Sequence, residues 1–338
     1  MLKKNPKAFS LIELSIIIAI LSITIIGFVS ISTGRITNQK SSSNNDNISA
    51  IYQALQKYLV LNKKFPCPAS LKDIKSSSST YAQGLTTSNC VGIGVYQSTS
   101  STNLVYGMAP TQTLGLDNSF AEDAYGNKII YVIDSRLTST TSSSFENSIL
   151  ESTEGGSATY THITVTGYTS DAIFILMSRG VNSSGAFAAN SANAPSASSD
   201  SNELSNDASS ITENTYPTAS TSTFDSTFVK SASSTTFDDV VFYKTRDDMF
   251  NEASAFGGNG NSIWSFIPCL SSSSSTALYG TTITWPKAYP DQIVVASVSC
   301  PSPNWRGSVS APTKKCGTKG TWGPVINPCT CASGYSCS

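Results

Sequence analysis

From Phe9 to Ile31 the chain reads FSLIELSIIIAILSITIIGFVSI, and Glu13 is the only charged residue in it. As a helix this run extends roughly 34 Å at 1.5 Å per residue, against about 30 Å for the hydrocarbon core of a bilayer. An acid inside such a run is costly in lipid and by default marks function. Lys3, Lys4 and Lys7 precede the run, and only Arg35 and Lys40 follow it closely. The positive-inside bias therefore puts the N-terminus in the cytoplasm and everything after Ile31 on the far side.

The rest of the composition excludes several classes. The 338 residues carry 21 Lys and Arg against 22 Asp and Glu, and no basic patch interleaved with aromatics suggests nucleic acid. The eight cysteines, an even number in an exported chain, read as disulfides. Cys67 and Cys90 stand far from the other six, and Pro66 and Pro68 fix the chain around the first of them, so a Cys67–Cys90 bond is expected. His162 is the only histidine, and neither a G-x-S-x-G elbow nor an H-E-x-x-H pair accompanies it, so the chain is not expected to be an enzyme.

Along the chain, Ile48, Ile51, Tyr52, Leu55, Tyr58 and Leu59 recur at helical spacing. Pro66-Cys67-Pro68 ends that pattern. Asp123 to Asn127 reads as a turn, and strands are expected at Lys128 to Ile133, His162 to Thr166, Ala172 to Ser178 and Asp238 to Tyr243. Residues 183–236, rich in Ser, Thr, Asn and Ala, are expected to be a long loop or insertion.

The short basic leader, the Ala8/Phe9 junction and the FSLIE segment together resemble the N-terminus of type IV prepilins and type II secretion pseudopilins. Ala8 stands where that family usually has glycine. KFPCPAS, PTQTLGL, DAYGNKIIY, SRGVNSSGAF and FDDVVFYKTRDDM follow in the order of one pilin-like subgroup. The resemblance implies an α+β fold: a long N-terminal transmembrane spine helix packed on an antiparallel β-sheet. It implies a leader at 1–8, a membrane half of the helix at 9–31, an outer amphipathic half at 32–65 and a globular head at 66–260. It implies cleavage between Ala8 and Phe9 by a prepilin peptidase, and pairing of the Glu13 carboxylate with the freed Phe9 amine of a neighbouring subunit. The expected localisation is the inner membrane, single-pass, with the C-terminal region periplasmic or extracellular. The expected partners are other pilin or pseudopilin subunits and the inner-membrane assembly machinery.

Six cysteines, Cys269, Cys300, Cys316, Cys329, Cys331 and Cys337, crowd the last 70 or so residues. With the G-x-W-G segment between them they resemble small disulfide-stapled β modules of the sushi kind, so 261–338 is read as a Cys-rich module. That resemblance implies the pairs Cys269–Cys316, Cys300–Cys329 and Cys331–Cys337; six cysteines allow 15 pairings. Trp285, Trp305, Trp322 and Tyr335 suit either exposed recognition of an unidentified surface ligand or the module's own core. No cofactor is expected. Zinc on the clustered cysteines is disfavoured by their spacing and by an oxidising compartment. Asp117, Asp123 and Asn127 offer oxygens for a calcium ion, as some pseudopilins use, and equally suit turn hydrogen bonding. The function expected is a structural subunit, a minor pilin or pseudopilin with an adhesive tip role. The competing expectation is a single-span membrane-anchored adhesin or lectin that never assembles.

Overall fold

Tyr131 and Ile133 point to one side of the central strands, Ile130 and Val132 to the other, and all four are fully buried. Phe174 and Leu176 alternate in the same way with Ile175 and Met177 on the neighbouring strand. A sheet covered on both faces needs strands that are apolar throughout, which is why these segments read as near-continuous branched and aromatic runs. The structure is a computed structural model, and it describes residues 11–98, 103–139, 163–193, 198–207, 226–234, 236–253, 269, 272–275, 282–296, 305–306, 312–317, 322–326 and 330–331. The chain forms two compact units, Met1–Asp46 and Asn47–Ser338.

The principal sheet of the second unit has seven strands: β1 (Tyr96–Gln97), β2 (Leu104–Met108), β3 (Ile130–Asp134), β4 (Ile163–Thr166), β5 (Thr169–Ser178), β6 (Thr227–Val229) and β7 (Val240–Thr245). The order is β1-β2-β3-β5-β4-β6, with β7 also on β5. β3 pairs with β5 through Ile130↔Met177 to Ile133↔Phe174, and β7 pairs through Ser178↔Val240 to Ala172↔Thr245. One face is covered by the end of helix α1 (Leu11–Asn62), through Ile48, Ile51, Tyr52, Leu55 and Leu59. That spacing is the apolar stripe of an amphipathic helix. The other face is covered by Leu71, Tyr81, Phe187 and Phe228.

Two further α-helices lie in this unit. In α2 (Ser201–Asn206) the Asp200 carboxylate accepts from the Asn202 and Glu203 amides, an N-cap. In α3 (Arg246–Ala253) the Asp248 amide donates to Thr245 Oγ1, and Asp247 and Asp248 sit in the first turn, where the helix dipole favours acids. Met249 of α3 joins the core beneath α1, and Glu252 accepts a 2.6 Å hydrogen bond from Tyr52. Cys67 is bonded to Cys90, closing a separation of 23 residues just beyond α1. A loop of that size contributes about 3 kcal/mol on a chain-entropy argument.

The C-terminal strands form their own small sheets: β8 (Ser272–Ser275) with β9 (Thr282–Trp285); β10 (Ile293–Val295), β12 (Thr313–Cys316) and β13 (Trp322–Ile326); and β11 (Trp305–Arg306) with β14 (Thr330–Cys331). Cys269 is bonded to Cys316, and both are fully buried. Trp285 is completely buried against Ala296, with the partly buried Val294 and Trp322 beside them. Lys314 Nζ lies 5.2 Å from the Trp285 ring centroid. Two of the aromatics considered for recognition, Trp285 and Trp322, therefore serve the interior.

Three sequence expectations need correction. The sheet is mixed, because β6 runs parallel to β4 through Thr164↔Thr227 to Thr166↔Val229. A parallel neighbour needs a long crossover, and the segment after β5 supplies it. That segment, expected as a long loop, also carries α2. The second correction concerns the transmembrane spine. In the first unit, Ile12, Leu14, Ile16, Ile17, Ile18, Ile20 and Leu21 are exposed on α1. Among the described residues no helix is long and apolar enough to cross a membrane. The fold is therefore mostly a mixed sheet with flanking helices, and the expected transmembrane spine helix on an antiparallel sheet is overturned. The third correction follows from the second: single-pass inner-membrane localisation is not supported.

Candidate functional site

The densest polar arrangement in the described chain lies where β5 ends. Ser178, Arg179 and Gly180 leave the sheet beside the start of β7, and the turn there brings in Asp238 and Asp239. The Asp200 cap fixes α2 so that Glu203, Asn206 and Asp207 face the same point. Arg179 is fully buried. Its Nη1 donates to Asp239 Oδ2 at 3.1 Å, and its Nη2 reaches Asp207 Oδ1 at 2.5 Å, Tyr106 Oη at 2.9 Å and the Asn206 carbonyl at 2.7 Å. Asn206 Nδ2 also donates to Asp239 Oδ2 at 2.9 Å. Glu203, completely buried, accepts from Asn182 Nδ2 at 2.8 Å, the Asp238 amide at 3.1 Å and Ser198 Oγ at 2.7 Å.

Two glycines make room for these acids. Gly180 has φ +63°, and a Cβ there would run into Asp238; Gly185 has φ +65°, and a Cβ there would run into the Asp207 carboxylate. Burial raises the carboxyl pKa of Asp207 and of Asp238 above the usual range. Asp239 is pushed up to about 6 by burial, against the opposing pull of Arg179. Burial alone would lower the Arg179 pKa, but Tyr106, Asp239 and Asp207 outweigh it and hold the guanidinium charged. Tyr106 is raised to about 12, chiefly by burial.

A second buried cation, Lys128, stands just before β3. Its Nζ donates to the Leu71 carbonyl at 2.6 Å and the Ser191 carbonyl at 3.2 Å. Burial lowers its pKa to about 8, although Asp73 and Glu122 pull the other way. Because the folded pKa lies below the unfolded one, the unfolded chain binds more protons between about pH 8 and 10. Stability should therefore rise with pH across that window, by on the order of 2 kcal/mol relative to a Lys128→Met variant. Urea unfolding of both proteins at half-unit pH steps measures the difference; parallel profiles would refute it. Above pH 10 the buried tyrosines, whose pKa values are raised, work in the opposite direction.

The residues singled out from sequence are not gathered in this cluster. Ala8 and Phe9, and likewise His162, Cys300, Cys329, Cys337 and Tyr335, lie outside the described residues. Glu13 lies within α1, and Cys331 lies in β14. Asp117 caps a short 3-10 helix by accepting from the Ser119 amide at 2.8 Å. Asp123 accepts from the Tyr125 and Asn127 amides, from Asn127 Nδ2 and from Ser178 Oγ. The three residues weighed for calcium thus have turn and loop partners. Sequence reasoning missed Arg179, Glu203, Asp207 and Asp239 as one cluster. The signal available was the SRG and DDVV segments, but the helix that joins them lies in a stretch whose composition reads as loop. A separate polar cleft of about 620 Å³ lies beside the Cys67–Cys90 bond, lined by Tyr58, Lys64, Thr87, Asn89, Thr113 and Thr138 among others. No protein-family model, curated protein or solved structure matches this chain.

Proposed function

We propose that the chain is a structural subunit, a minor pilin or pseudopilin, that assembles through its N-terminal helical segment into a type IV pilus or a type II secretion pseudopilus. The observation that carries the reading is the contrast between the two ends of α1. In the second unit Ile48, Ile51, Leu55 and Leu59 are buried in the core. In the first unit seven large apolar residues from Ile12 to Leu21 are exposed. A contiguous exposed apolar set marks an interaction surface, and in this reading the equivalent segments of other subunits cover it. The roles of Ala8, Phe9 and Glu13 rest on the prepilin resemblance of FSLIE. The alternative is a membrane-anchored adhesin or lectin that does not assemble, in which an intact leader at 1–8 would replace a mature N-terminus at Phe9. The C-terminal strands, stapled by Cys269–Cys316, are the part proposed to carry adhesion.

The test is co-expression of the full chain with a prepilin peptidase and an assembly system, followed by shearing and mass spectrometry of the filament fraction. The expected mature N-terminus is Phe9, and Glu13→Ala should reduce incorporation at least tenfold while the amount of folded protein is unchanged. Leader retained in assembled material, or normal incorporation of Glu13→Ala, would count against the proposal.

A further inference from the structure

We propose that the cleft beside the Cys67–Cys90 bond binds a neutral saccharide, whether or not the chain assembles into filaments. The cleft holds about 620 Å³, a size usual for small-molecule sites. Such sites are mostly apolar, and this one is not: hydroxyl, phenol and amide groups make up most of its wall, among them Tyr58, Gln83, Thr86, Asn89 and Thr113. Side chains that both donate and accept match a ligand whose every hydroxyl does the same. Among the described residues no carboxylate lines the cleft, and Lys64 is the one cation in its wall. Lys64 would draw an anion, but the cleft lies at the C-terminal end of α1, where the helix dipole is negative and opposes one. A cation in turn would meet Lys64 and no acid. The balance favours an uncharged, hydroxyl-rich ligand.

Two further observations mark the cleft as built for a ligand. The side chains of Tyr58, Lys64, Gln83, Thr86 and Asn89 have no hydrogen-bond or ion-pair partner among the described residues. Thr113 and Thr87, by contrast, are tied down: Thr113 Oγ1 accepts from the Gly84 amide at 2.9 Å, and Thr87 Oγ1 donates to the Val91 carbonyl at 2.6 Å. The second observation is the backbone. Ala82, Asn89 and Cys90 have φ of +58°, +61° and +57°, in the left-handed region that residues with a Cβ seldom enter. All three lie in the cleft wall or next to it, and such residues cluster at binding sites where the surrounding structure enforces them. Lys63, at φ +57°, also borders the cleft, but it follows α1 as an ordinary left-handed helix end. The enforcing contacts are the Cys67–Cys90 bond, the Gln112 amide on the Ala82 carbonyl at 3.0 Å and the Leu85 amide on the Pro68 carbonyl at 3.1 Å. At Gly84 a Cβ would stand 2.5 Å from the Cys67 carbonyl oxygen, so that stretch of wall lies directly against Cys67. A wall fixed before the ligand arrives lowers the ordering cost of binding.

The experiment uses the full chain in sugar-free buffer at neutral pH. The probes are the neutral sugars glucose, galactose, mannose, N-acetylglucosamine and lactose, with glucuronic acid and glucosamine as charged counterparts. Saturation-transfer NMR detects weak binding, and titration of its signal gives the affinity. At least one neutral sugar should bind saturably at millimolar concentration, and each charged counterpart at least fivefold more weakly. Gln83→Ala removes one amide from the wall; Asn89→Gly removes another while keeping the left-handed backbone. Each should weaken binding at least fivefold and leave the unfolding midpoint of the protein unchanged, because neither side chain has a partner among the described residues. Tyr58→Phe, which loses only the hydroxyl, serves as a third variant if either of these fails to unfold cooperatively. Absence of saturable binding by every neutral sugar at millimolar concentration would overturn the proposal, as would binding that survives in cooperatively folded Gln83→Ala and Asn89→Gly proteins. Tighter binding of glucuronic acid would overturn it too, and would mean that Lys64 selects an anion.

Discussion

Arg179→Met should lower the unfolding free energy by about 3–5 kcal/mol. Methionine fills much of the same volume, so the loss comes from charge rather than from a cavity. The guanidinium is fully buried, and it is the partner of two carboxylates that are themselves almost completely buried, Asp207 and Asp239. Removing one member of a buried ion pair strands the other, and its desolvation is no longer offset. The Tyr106 hydroxyl and the Asn206 carbonyl lose their donor at the same time. Urea unfolding followed by intrinsic fluorescence measures the effect. Neutralising the stranded acids as well, in Arg179→Met with Asp207→Asn and Asp239→Asn, should recover a substantial part of the loss. If the single variant falls within about 1 kcal/mol of the wild type, the arginine is not what holds the crossover segment to the sheet.

How much of this was readable beforehand depends on whether the determinant was local. The strands β3, β4, β5 and β7 were legible within two or three residues, because branched and aromatic runs next to turn residues are a local signal. Helical spacing from Ile48 to Leu59 was equally plain, and the proline-flanked Cys67 marked the end of α1. The parallel placement of β6 was not legible. Phe228 and Val229 are two apolar residues in a Ser/Thr-rich stretch, and their value lies in pairing with Val165 and Thr166, some sixty residues earlier. The Arg179 cluster was hidden for the same reason. Each member is an ordinary charged residue in its own segment, and only the topology brings 179, 203, 207 and 239 together. The N-terminal run misled in another way. Apolarity from Phe9 to Ile31 measures only a potential to span a membrane, and among the described residues no helix is long and apolar enough to cross one.

The junction between helix and sheet offers the other large effect. Phe174→Ala should cost about 3–5 kcal/mol. Phe174 lies on the central strand β5, is fully buried, and meets four other rings: Tyr52 at 6.1 Å, Phe65 at 6.3 Å, and Tyr131 and Phe242 at 6.4 Å between centroids. Aromatic pairs at such separations add to what burial alone supplies. The neighbours belong to α1, to the segment after it, and to β3 and β7, so they cannot collapse together into the space without moving the helix relative to the sheet. The cost should therefore fall at the high end of its range, where relaxation is poorest. Phe174→Leu, which keeps most of the volume, should cost less than half as much. Amide exchange separates a local from a global effect: in Phe174→Ala, protection should fall first in residues 48–59 of α1, ahead of β3 and β5. Unchanged protection there would mean that Leu55 and Leu59 dock the helix unaided. In the proposed filament subunit, the same variant should then assemble normally while its head loosens, since the exposed apolar residues of α1 are untouched by the substitution.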